Sequence, residues 1–202
     1  WSAVVWTLAA ATDLALFPLH TVLFPRAPLR IRVFEPRYRT MIDDCVREER
    51  PFGVALIRKG VEAMGPLPEP HTIGCEAHIE RILALPEGDL MVEAVGHRRF
   101  AIEALVPGTP YLTIRARHLR LAGTEAASVD ALGRDLRRWV TRYISAISSA
   151  ARPDIAREID TASLPEAPSA LAYVAASLLP IPPSAKQTLL AQQDAGRLLA
   201  DV

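Results

Sequence analysis

The sequence predicts an α+β fold, in which several short strands form a small barrel or sandwich with one embedded helix and a helical second half follows. Three observations predict it. Between Leu29 and Leu119, segments of strand character are separated by Pro and Gly clusters. One stripe of apolar residues at helical spacing interrupts them after Pro36, and beyond Gly123 the helical spacing takes over for good. Short strands at regular intervals fit a barrel or a sandwich, and the pattern alone does not choose between them.

The elements follow in order. Leu29, Ile31 and Val33 alternate with Arg30 and Arg32, the period of a strand with one buried face. Pro36 presets the φ of a first helical turn. Tyr38, Met41, Ile42, Cys45 and Val46 then share one apolar helical face, while Arg39, Asp43, Asp44 and Arg47 lie towards water, and Pro51 stops the helix. Strands are expected over 52–57, 73–83, 89–95, 99–105 and 111–119, separated by loops such as Gly65-Pro66-Leu67-Pro68 and Pro107-Gly108. Val129, Leu132, Leu136, Trp139, Val140, Tyr143, Ile144 and Ile147 mark an amphipathic helix of about 22 residues, roughly 33 Å long, with Trp139 expected to be buried. Further helices are expected over 155–159, 169–179 and 185–199, the last opened by a Ser184/Gln187 capping box. The chain thereby divides into a strand-rich subdomain over 14–120 and a four-helix bundle over 124–202.

Composition narrows the function classes. With 202 residues, half of them apolar, the chain buries a core without staples. The 23 basic and 23 acidic residues are interspersed and sum to zero net charge, so no basic stripe advertises nucleic acid or an anionic membrane. Cys45 and Cys75 are too few for a disulfide framework and are expected as free thiols in a reducing cytoplasm. The opening WSAVVWTLAAATD lacks a basic n-region and an initiating Met, so residues 1–13 read as a remnant of truncation rather than a signal peptide. Nothing else approaches the roughly 18 apolar residues of a membrane span.

One stretch, LALFPLHTVLFPRAPLRIRVFEPRY from Leu14 to Tyr38, combines two Phe-Pro steps with the Phe34-Glu35-Pro36-Arg37-Tyr38 start of the helix. Together with Phe52-Gly53-Val54, Gly74-Cys75-Glu76-Ala77-His78-Ile79, Gly96-His97-Arg98-Arg99-Phe100, Pro110-Tyr111-Leu112 and Lys186-Gln187-Thr188-Leu189-Leu190, it resembles the Lon protease N-terminal domain. That module precedes an ATPase and a protease in full-length Lon, and the resemblance covers nearly the whole chain. It implies a PUA-like β-barrel followed by a helical bundle. It also implies a non-enzymatic, substrate-binding role towards unfolded or damaged polypeptides, a protease or chaperone as a further partner, and no cofactor. The chain departs from the family at Cys75, where threonine is common, and in the Pro-rich loop from Gly65 to Pro70.

Catalytic chemistry is not expected. The two lysines, Lys59 and Lys186, follow Arg58 and Ala185, so a phosphate-cradling Gly-Lys-Ser/Thr core does not occur. Ser184 lies two residues before Lys186 and points away from it on a helix. The spacing of His71, Cys75 and His78 imitates a metal site, but on a strand Cys75 and His78 face opposite sides, so no metal is expected there. His20, His97 and His118 have no nearby partner that makes a catalytic constellation, and most are expected to be structural or solvated. The binding candidates are Phe24, Pro25, Phe34, Glu35, Arg37, Tyr38, Arg98 and Tyr111, which either build the core or line an apolar groove for peptide segments. Two alternatives stand beside this reading. An RNA-binding PUA-like module is weakly supported by 15 basic against 13 acidic residues from Leu14 to Arg120. A small-molecule binder would place its site at the interface of barrel and helices.

Overall fold

A computed structural model describes residues 11–108, 110–149 and 164–202. The strands are β1 (Thr12–Leu19), β2 (Pro28–Val33), β3 (Phe52–Lys59), β4 (Glu69–Pro70), β5 (Ile73–Ala84), β6 (Leu90–Val106) and β7 (Leu112–His118). The helix α1 (Pro36–Arg47) sits between β2 and β3, and α2 (Ala127–Ser149), α3 (Pro168–Leu178), α4 (Pro183–Ala191) and α5 (Ala195–Asp201) follow the last strand. The helix expected over 155–159 lies outside the described residues.

Strand pairing runs β1-β7-β6-β5-β3, and β1 also pairs with β3, so the path of hydrogen bonds returns to its first strand. β1 achieves this by changing partners along its length. Thr12 to Leu16 pair antiparallel with β7, and Leu16 to Leu19 pair parallel with β3. Six consecutive residues of β1 are buried, which erases the alternation by which a strand is read from sequence. Pro18 is tolerated because it lies beyond the β7 pairing. β6 is the hub of the sheet. It pairs with β2, β5 and β7, and it runs unbroken through the two strands expected over 89–95 and 99–105.

Alternation in β2 works as expected: Leu29 and Val33 are buried, while Arg30 and Arg32 form ion pairs with Glu93 (3.6 Å) and Asp89 (2.6 Å) on the outer face. In α1, Pro36 occupies the first turn and Tyr38, Met41, Ile42 and Cys45 are buried. Val46, expected on the same face, is exposed. Tyr38 stacks on Phe17 with ring centroids 4.1 Å apart.

Two apolar clusters result. The smaller gathers Leu14, Leu16, Ala55, Phe100, Leu112, Ile114 and Ala116 from four strands of the cycle. The larger joins the other side of the sheet to α1 and to the C-terminal helices. In α2, Val129, Leu136, Val140 and Ile144 form the buried stripe, and at Gly133 an added Cβ would stand 2.7 Å from Pro168, so glycine lets α3 start close against α2. Trp139 falls beside that stripe; it is 40% exposed and stacks on Tyr143 instead of being buried.

The expected helix over 185–199 is two helices. Residues 192–194 separate α4 from α5, whose N-cap is Asp194, with its carboxylate accepting from Arg197 N at 3.0 Å. The expected capping box at Ser184 does not form. Pro182 is the N-cap of α4, Ser184 lies inside the first turn, and Gln187 turns to the sheet, where its Nε2 donates to the Ile73 carbonyl at 3.0 Å.

A single side chain of β6 ties the sheet to these helices. Arg99 is buried; its guanidinium donates to the carbonyls of Leu190 (2.7 Å) and Gln192 at the end of α4 and to that of Arg120 (3.4 Å). A cation is favoured there because the last carbonyls of a helix have no partner of their own. The Tyr173 ring covers the same guanidinium at 5.6 Å, and Phe24 lies 6.3 Å from that ring.

Replacing Arg99 with Met should lower stability by about 3 kcal/mol, because three backbone carbonyls, buried or partly buried, lose their donor, and Lys should not restore it. A chain ending after Arg120 should unfold at a lower denaturant midpoint than the full chain, which should itself unfold in one cooperative transition. Tyr38→Ala should cost about 3–5 kcal/mol. Tyr38→Phe should be neutral or slightly stabilising, since the buried Tyr38 hydroxyl has no hydrogen-bond partner. Urea unfolding monitored by circular dichroism checks each variant.

Candidate functional site

The most concentrated chemistry lies where β5, β6 and β7 meet. Cys75 pairs with Arg99 and Ala77 with Gly96, so Glu76 on β5 faces two residues of β6, His97 and Arg98. This bulge turns both side chains towards Glu76. The bulge begins at Gly96 for a steric reason: a Cβ there would stand 2.1 Å from the Phe24 carbonyl oxygen. Backbone bonds from Arg26 N to Gly96 O (2.7 Å) and from Gly96 N to Ala27 O (2.9 Å) clamp the loop after β1 onto β6 at this point.

Glu76 is only 2% exposed, and its partners supply what burial withholds. His78 Nε2 donates to Oε1 at 2.8 Å and His118 Nε2 to Oε2 at 2.5 Å. Arg98 Nη2 lies 3.4 and 3.5 Å from the two oxygens, and His97 Nδ1 lies 3.9 Å from Oε1. Burial pushes the Glu76 carboxyl up, but the hydrogen bonds from His78 and His118, with the charge of Arg98, outweigh it and hold the carboxyl below its ordinary value. Burial and the neighbouring His78 push His97 down, which favours its neutral form.

His97 and His118, expected to be structural or solvated, join Glu76 in this cluster. Glu76 and His78 do share a strand face, as alternation requires; His97 and His118 join them through the bulge and through the pairing of Phe100 with His118. Cys75 is buried away from them with its thiol pushed up to about 12 by burial, and Cys45 is likewise buried and pushed up to about 11. Both are inert as nucleophiles.

A groove of about 500 Å³ adjoins the cluster between β6 and α3. Pro25, Arg26, His97, Arg98, Leu121 and Tyr173 are among its walls. Of the candidate binding residues it collects Pro25 and Arg98. Pro25 is nonetheless buried, as are Phe24, Tyr38 and Tyr111, so these four support surfaces rather than form them, and Arg98 is the exposed candidate at the groove. Tyr111 donates from its hydroxyl to Asp44 Oδ2 at 2.8 Å, locking β7 to α1. Glu35 pairs with Arg37 at 2.8 Å, and the Arg37 guanidinium also donates to the Gly65 carbonyl at 3.1 Å. Phe34 is 46% exposed beside that pair.

A family model described as the ATP-dependent protease La (LON) substrate-binding domain matches residues 13–202. The chain belongs to this family. The Lon domain is 28% identical over 174 residues to the Lon protease of Phenylobacterium zucineum, covering 86% of this chain and 22% of that one. It is 29% identical over 191 residues to the Lon protease of Paraburkholderia phytofirmans, covering 94% and 23%. It therefore spans less than a quarter of the length of these relatives. A crystal structure of a Lon N-terminal domain protein from Xanthomonas campestris superposes with a TM-score of 0.67 at 26% identity, covering 94% of this chain and 95% of that one. The N-terminal domain of the Mycobacterium avium complex Lon protease gives 0.69 with the same coverage; at 18% identity that likeness concerns the fold alone. The Lon domain fold is thus a mixed sheet with helices, and among the described residues no helix is long and apolar enough to cross a membrane.

The depressed Glu76 carboxyl makes a pH prediction for the Lon domain. A carboxyl whose folded value lies below its unfolded value contributes stability above the unfolded value, about 4.3, and loses it as pH falls through the folded one. Glu76→Gln should therefore destabilise the domain by about 2 kcal/mol at pH 7. The difference from the parent chain should shrink as pH drops below about 4.3, which unfolding curves at pH 3, 5 and 7 would measure.

Proposed function

We propose that this Lon domain is a non-enzymatic module that binds exposed apolar segments of unfolded or damaged polypeptides. The observation that carries the reading is an exposed apolar surface around the hydrogen bond from Arg37 to Gly65. Phe34 precedes Arg37, and Val61, Met64 and Leu67 lie within four residues of Gly65; all four are exposed, Met64 by 87%. Large apolar side chains held out into water beside a fixed tie are the physical basis of a docking surface for apolar segments. In this reading Phe34 contacts the bound segment, while Glu35 and Arg37 hold the loop in place. Phe24, Pro25, Tyr38 and Tyr111 stiffen the support beneath, and Arg98 offers a second contact at the groove beside α3.

The cyclic pairing of β1, β7, β6, β5 and β3 is read here as a PUA-like barrel, with 14–120 as its subdomain and 124–202 as a helical bundle packed against it. The engagement of Lys186 supports a non-catalytic role. The Lys186 ammonium donates to the Ser177 carbonyl at 2.8 Å and the Ser177 hydroxyl to the Val174 carbonyl at 2.6 Å, so neither is directed at the other. A protease or chaperone that receives the captured chain is the implied partner, and two reduced, buried thiols support a cytoplasmic setting.

Fluorescence anisotropy with a labelled, permanently unfolded carboxymethylated protein tests the proposal. Saturable binding by the parent domain is expected, and the Phe34→Ser/Met64→Ser double variant should bind about tenfold more weakly with an unchanged melting temperature, because both side chains are exposed. An absence of saturable binding, or an unchanged affinity in the double variant, would overturn it.

A further inference from the structure

The geometry points to a transition-metal site at the β5–β6 bulge, in which Glu76, His78 and His97 hold one zinc ion. Their donor atoms lie within 4.8 Å of one another, and the closest pair, Glu76 Oε1 and His78 Nε2, is 2.8 Å apart. A tetrahedral zinc with bonds of about 2.0–2.1 Å sets its donor atoms about 3.4 Å apart, inside that range. The movement needed is small and falls on mobile groups: the His78 and His97 side chains are 49% and 55% exposed and their rings already lie 4.5 Å apart, while the carboxylate between them is fixed by burial.

The surrounding residues complete the arrangement of a bound-metal site. His118 occupies the other carboxylate oxygen, the place of an outer-shell donor that orients a ligand. Two imidazole nitrogens and one carboxylate oxygen are a borderline donor set that suits zinc and disfavours magnesium and calcium, which want oxygen throughout. The half-exposed faces of His78 and His97 leave a fourth position open to water.

Arg98 is the antagonist of this site. Its guanidinium sits 3.4 Å from Glu76 Oε1, where it supplies the positive charge that the metal would supply. The side chain is 54% exposed and is free to swing outwards, so arginine and metal are alternative counter-ions for one buried carboxylate. Because His97 and Arg98 also line the groove beside α3, the exchange would free a guanidinium at the groove's edge.

Isothermal titration of chelator-treated protein with ZnCl2 at pH 7.5 is the test, with the cobalt(II) absorption spectrum as a second readout of coordination geometry. One equivalent of zinc should bind with micromolar or tighter affinity, cobalt should give the intense visible bands of a tetrahedral site, and neither MgCl2 nor CaCl2 should saturate. His78→Ala and His97→Ala should each weaken zinc binding at least about tenfold. Arg98→Ala should strengthen it, an effect that a purely structural hydrogen-bond cluster would not show. His78 and His97 are exposed enough for their variants to fold, so the result does not hang on the buried Glu76. The proposal is overturned if one equivalent does not bind, or if binding survives the His78→Ala/His97→Ala double variant, as it would if cysteine thiols were the ligands.

Discussion

The structure depends on where the charge of Arg99 goes. A guanidinium buried in a sheet needs several acceptors, and Arg99 finds them as backbone carbonyls at the end of α4 and after β7 rather than as a carboxylate. That requirement fixes the axis and end of α4 against β6. It also places α3 so that Tyr173 covers the cation, and Phe24 then packs against Tyr173. Burial lowers the Arg99 pKa, yet its ordinary value is so high that the charge persists and keeps its demand for acceptors. The two halves of the chain are therefore joined by a specific polar contact as well as by a shared apolar cluster.

Adjacent residues of β6 serve opposite faces. Arg99 points into the helices, while Arg98, one position earlier in the bulge, reaches the buried Glu76. The bulge thus lets one short segment, Gly96 to Arg99, contribute to a groove wall, a charge cluster and the attachment of the C-terminal helices. A regular strand would have placed His97 and Arg99 on one face, whereas the bulge lets His97 lie beside Glu76 while Arg99 enters the helices.

Elements with a single exposed face were legible in the sequence. β2 shows alternation, α1 shows a stripe behind Pro36, and α2 shows a long periodic face; α2 appears within two residues of its expected ends, while α1 ends at Arg47, short of the expected stop at Pro51. β1 was not legible, because burial on both faces removes alternation. The break between α4 and α5 was hidden because residues 192–194 carry no Gly or Pro to announce it. Trp139 was misplaced since an aromatic residue flanking a stripe contributes to the same period as one inside it. Of the site, the pairing of Glu76 with His78 follows from their spacing alone. The arrival of His97 and His118 needed the register of β5 on β6 and of β6 on β7, which no local pattern encodes.

The double partnership of β1 has a consequence for how the chain assembles. Thr12 pairs with Ala116 and Leu16 with Leu112, so the sheet closes only after segments roughly a hundred positions apart have met. The contact with β3 is nearer in sequence, Leu16 pairing with Gly53, so the pairing with β7 is the longer of the two closures that β1 must make. Until it docks, β3 and β7 both present unpaired backbone edges flanked by apolar side chains, the geometry that invites pairing between molecules. A protein of this topology is at its most self-associating before its first strand is in place, and dilution or rapid docking of that strand is what carries it past the hazard.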